Sequence, residues 1–125
     1  VRRSILLAAL LLGCSEEGQP LPWSHMFTIP PGTFVEANLI MSGGDAASCQ
    51  FDAHGGALDW NTHGHTADGG LSLFTEGQGA MGTIPFTAPA GGGYSFYFQN
   101  NGGVAVTLDV TITGQGRVVS TSVGP

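Results

Sequence analysis

The chain has 125 residues with 21 Gly and 7 Pro, enough for one domain, and this composition favours short strands joined by many turns over long helices. Nine acidic residues stand against three basic ones, two of them Arg2 and Arg3, and the formal net charge of −6 repels polyanions and so excludes nucleic acid as a partner. No Gly-x-Ser-x-Gly elbow, His-Glu-x-x-His helix or phosphate-cradling Gly-rich loop occurs, so the residues offer no enzyme template and a non-catalytic protein is expected.

At the N-terminus, Arg2-Arg3 precedes an apolar run from Ile5 to Leu12 that is too short to span a hydrocarbon core of ~30 Å, which reads as a secretory signal helix over 1–13. Its end, Leu11-Leu12-Gly13-Cys14, resembles the lipobox of bacterial lipoproteins. That resemblance implies lipidation of Cys14, anchoring to a membrane of the bacterial cell envelope, and a flexible, Pro-punctuated tether over 14–22. Ser15 in place of an acidic residue after the cysteine points to the outer membrane rather than the inner.

From Trp23 the chain turns to period-2 patterns. Trp23 to Ile29 is expected to be a strand, with Pro30-Pro31-Gly32 as a corner, and Thr33 to Met41 a second, with Val35, Ala37, Leu39 and Met41 on one face and Glu36 and Asn38 on the other. Ser48 to His65 is expected to form a hairpin about Gly55-Gly56, opposing Asp52 to Asp59 and Phe51 to Trp60. Cys49, Phe51, Ala53, Leu58, Trp60 and Thr62 then share a core face, while Asp52, His54, Asp59, Asn61, His63 and His65 share the polar one. Leu71 to Thr75 and Gly82 to Ala88 are further strands, the second demoted by Pro85 to an edge or a bulge. Gly93 to Gly114 reads as a long hairpin turning at Asn100-Asn101-Gly102-Gly103, with Tyr94, Phe96 and Phe98 and the alternating residues from Val104 to Ile112 facing a core. About eight strands in all predict an all-β antiparallel sandwich over 23–114, followed by a polar C-terminal tail over 115–125 to which the pattern assigns no structure.

The segment from Gly82-Thr-Ile-Pro-Phe-Thr-Ala-Pro89 through Gly93-Tyr-Ser-Phe-Tyr-Phe-Gln-Asn100 to the Val strand resembles the second half of a GOLD (Golgi dynamics) domain. The resemblance implies a jelly-roll-like β-sandwich used for binding or protein interaction, without catalytic residues. The paired cysteines, C-terminal membrane helix and sorting tail of the eukaryotic branch are absent from this sequence, so cargo-receptor function is not implied.

The polar face carries the candidate chemistry. His63 and His65, two apart on a strand, have Cα atoms roughly 6.6 Å apart, so both imidazoles can converge on one transition-metal ion, zinc or copper. Asp52 opposite Asp59 is a like-charge pair that a cation or His54 would relieve, which makes Asp52, His54 and Asp59 further candidate ligands. His25, Met26 and Met41 are softer candidates for copper, and calcium held by Asp52, Asp59 and the Asp68-Gly69-Gly70 turn is a weaker rival. Cys49, left single once Cys14 is lipidated, reads as a buried structural thiol. The expectation is a lipid-anchored envelope module that binds a ligand or an envelope protein partner, with a His-x-His metal site as its most concrete form. The alternative is a structural or protein-interaction lipoprotein with no metal.

Overall fold

The computed structural model describes residues 18–66 and 68–125. The expected signal segment and Cys14 lie outside the described residues. Among the described residues ten strands make up the fold: β1 (Gln19–Pro20), β2 (Trp23–Ile29), β3 (Phe34–Met41), β4 (Ala46–His54), β5 (Leu58–His65), β6 (Leu71–Gly79), β7 (Met81–Thr87), β8 (Gly92–Gln99), β9 (Val106–Gly114) and β10 (Arg117–Gly124). They form two antiparallel sheets, a six-stranded one in the order β1-β10-β3-β8-β5-β6 and a four-stranded one in the order β2-β9-β4-β7. The eight strands from β2 to β9 pass between the layers in jelly-roll fashion, and only β5 and β6 are paired neighbours in sequence. The two strands beyond the expected eight extend one edge: Gln19–Pro20, from the segment expected to be a flexible tether, pairs with β10, which is formed by the C-terminal tail to which the pattern assigns no structure.

The alternation sorts the faces as expected. Val35, Ala37, Leu39 and Met41 from β3 and Tyr94, Phe96 and Phe98 from β8 pack against Cys49 and Phe51 from β4 and Val106, Leu108, Val110 and Ile112 from β9. β7 is an edge strand carrying Pro85, and an edge is where a residue lacking an N–H is tolerated.

Both expected hairpins are corrected. β4 and β5 lie in different sheets, as do β8 and β9, so Gly55-Gly56 and Asn100 to Gly103 are crossings between layers rather than turns within one. A crossing and a hairpin place the same residues on the core side, because alternation alone decides which side chains face inward. What separates them is tertiary. Gly55, at φ +111°, passes so close to Ala105 that a Cβ would lie 2.9 Å from its carbonyl oxygen. The buried Asn100 shapes the second crossing, its Nδ2 donating to the carbonyls of Ile29 (2.9 Å) and Val104 (2.8 Å). Val104, expected in the core, is 60% exposed because β9 starts two residues later.

Candidate metal centre

In the six-stranded sheet, β8 runs between β3 and β5, pairing Ser95 with Asn38 on one side and with His63 on the other. The outer face of these strands carries Glu36 and Asn38, Ser95 and Tyr97, and Asn61, His63 and His65. Ser95 is the smallest of these and is only 2% exposed. It forms the floor of a shallow basin into which its larger neighbours lean from both flanking strands. The His63 and Glu36 side chains are thereby 8% and 12% exposed although they stand on the solvent side of a sheet.

His63 Nδ1 lies 2.8 Å from Asn61 Oδ1. The amide oxygen accepts only, so it takes a proton from Nδ1 and leaves the lone pair of the neutral ring on Nε2. That atom is 3.6 Å from Glu36 Oε1, too long for a hydrogen bond. Two ligands on one tetrahedral zinc ion, at bonds of ~2.1 Å, stand about 3.4 Å apart. One ligand atom each from Glu36, His63 and His65 lies within 4.8 Å of the others, so contraction by up to about 1.4 Å through side-chain torsions would bring the set around one ion.

A polar chain supports His65 from behind. Ser95 Oγ donates to Asn38 Oδ1 at 2.6 Å, and the Asn38 amide donates to Ser120 (3.1 Å) and Ser122 (2.9 Å) on β10. With its own proton committed, Ser95 accepts from His65 Nε2 at 3.2 Å, which sets the neutral ring's lone pair on Nδ1. The Glu36 carboxyl is held below its ordinary value chiefly by the His63 side chain that faces it, against the opposing cost of burial, with help from Ser95 and His65. Burial, and secondarily the Glu36 charge, push the Tyr97 phenol up.

The expected single polar face is divided between the two sheets. Asp52 opposes Asp109 on β9, not Asp59, and His54 Nε2 sits 3.6 Å from one carboxylate and 3.7 Å from the other on the outside of the four-stranded sheet. Asp59 shares the sheet of the histidines but stands four residues from His63, roughly 13 Å along the strand. There it accepts hydrogen bonds from Gln78 (2.9 Å) and from Asn101. His25 stacks on Trp23 in β2, in the other sheet. Met41 is buried and Met26 exposed on β2, so neither joins the basin. Asp68 caps its own turn through Thr66 and Gly70. Glu36 is the candidate ligand that sequence reasoning missed: alternation placed it outward, but nothing in the chain revealed that β3 and β5 flank the same strand. Cys49 is buried as expected, and desolvation pushes its thiol up to about 12.

No protein-family model matches the chain, and no curated protein matches it in sequence at a significant level. Among solved structures, the Yersinia pseudotuberculosis-derived mitogen superposes with a TM-score of 0.61 at 10% identity, over 77% of this chain and 87% of the mitogen. PliG of Aeromonas hydrophila, a periplasmic inhibitor of g-type lysozyme, superposes with a TM-score of 0.48 at 17% identity, over 77% of this chain and 88% of PliG. At such identities the likeness to the mitogen extends to the fold alone: the chain is an all-β sandwich.

Proposed function

We propose that the protein is an exported β-sandwich binding module, lipid-anchored at Cys14 in the bacterial envelope, that holds a transition-metal ion through Glu36, His63 and His65. The observation that carries the metal reading is His63: its ring is almost fully buried, its Nδ1 is bonded to Asn61, and its Nε2 has no hydrogen-bond partner among the described residues while facing a carboxylate. A buried lone pair aimed at an anion is unfavourable, and a cation between the two relieves both. Two imidazoles and one carboxylate suit zinc, and among the described residues no thiolate joins the group to favour copper(I).

The aromatic and aliphatic residues of this face also favour the histidines over a flat interaction patch. Phe34 stacks on Tyr97 at 5.0 Å, whereas Ile40 stands apart, with Glu36 and Asn38 between it and Phe34 along β3. Calorimetric titration with zinc tests the reading. One ion should bind per chain, His63→Ala and His65→Ala should each abolish binding, and Glu36→Gln should weaken it. Undiminished binding by the His63→Ala/His65→Ala double variant would sink the site.

A further inference from the structure

The three candidate ligands rise from one side of a sheet, two from β5 and one from β3, with Ser95 beneath them. An ion held this way is coordinated from below. Among the described residues no fourth His, Cys, Asp or Glu joins the cluster, so a tetrahedral ion has a coordination position turned off the sheet. Two neutral imidazoles and one carboxylate leave a divalent ion with one net positive charge, which selects an anionic ligand.

The rim decides what else that ligand carries. Leu73 is paired with His63 and Leu71 with His65, both on the outer face of β6 and 57% and 66% exposed. On the other side of His65, across Gly93, stands Ile40, 45% exposed. Gly93 puts no side chain between them; a Cβ there would lie 3.9 Å from the His65 ring and 4.0 Å from Ile40. The remaining carboxylate near the histidines, Glu76, is paired with Asn61 toward the Tyr97 end, so repulsion and the aliphatic rim both direct a bound anion the same way. Resting on the metal reading above, we infer that the ion takes an aliphatic carboxylate at its outward position, the alkyl body lying over Gly93 against Ile40, Leu71 and Leu73. The site is then a receptor for small apolar acids, with the metal as the anchor for the charged end.

Cobalt(II) substitution of the whole protein tests this, with acetate and hexanoate as probes. The metal alone should give visible ligand-field bands that His63→Ala loses. Hexanoate should shift those bands saturably. It should bind at least about tenfold tighter than acetate, since a methylene removed from water is worth roughly fourfold and an open rim covers only part of the chain. Leu71→Ser/Leu73→Ser should keep the bands and the acetate response but lose the advantage of hexanoate. Bands that no carboxylate perturbs would show a closed ion and overturn the inference while leaving the metal site standing. Equal affinity for the two acids would overturn the apolar part, and absence of bands in the wild type would remove the metal site itself.

Discussion

His63 and Glu36 face each other across an intervening strand, Nε2 to Oε1 at 3.6 Å, although 27 positions separate them in the chain (63 − 36 = 27). They meet because β8 brings β3 and β5 to its two sides and because Ser95, between them, is too small to keep them apart.

Metal binding should depend on pH with a definite sign. The ligating form of each histidine is neutral, so zinc affinity should fall as the pH drops and protons compete with the ion for the ring nitrogens. Zinc should also raise Tm by mass action, and the shift should vanish in His63→Ala but persist in His25→Ala, whose ring lies on the other sheet. Thermal melts at pH 5.5 and 7.5, with and without zinc, measure both effects. An equal shift at the two pH values would argue against imidazole ligands.

The metal-free protein should show a separate pH effect through Glu36. Its folded-state value is lowered, so the stabilisation it contributes is present above the unfolded value near 4.5 and disappears as pH falls through the lower folded value. Glu36→Gln should therefore flatten the dependence of the denaturation midpoint on pH below about 5. A slope matching that of the wild type would mean the carboxylate does not interact with His63 as described.

The core positions on β8 and β9 should be costly to truncate. Phe96→Ala and Leu108→Ala each open a cavity between the sheets and should lose roughly 2–5 kcal/mol, whereas Thr107→Ala, on the opposite face of β9, should lose much less. Urea midpoints in the reverse order would contradict the facing of these strands.

Cys49 should be chemically silent in the folded protein. With its thiol pushed up to about 12 and its side chain between the sheets, it should react with a disulfide reagent at pH 8 only after unfolding. The linkage runs opposite to that of Glu36. The folded value is raised, so the contribution to stability is full below the unfolded value near 9 and is lost as pH rises toward 12. Rapid modification under native conditions would show that this part of the core opens.

Anchoring rests on the lipobox-like segment and is tested in the cell. Cys14→Ser should move the protein from the detergent-soluble membrane fraction to the aqueous phase without altering its circular dichroism. Partitioning that does not change would remove the lipid.

Period-2 alternation by itself determined which side chains enter the core, from Val35 on β3 to Ile112 on β9, because successive residues of a strand point to opposite faces whatever the strand pairs with. It also put Glu36, His63 and His65 outward. Which strands are neighbours was decided only in three dimensions. Gly55-Gly56 and Asn100 to Gly103 suit a hairpin turn and a crossing between sheets equally well, and the choice depends on how the two layers bury their apolar faces against each other. That choice sent Asp52 and His54 to the far side of the molecule from His63. It replaced them with Glu36, whose proximity no spacing along the chain reveals, since it exists only because β8 pairs with β3 and β5 at once.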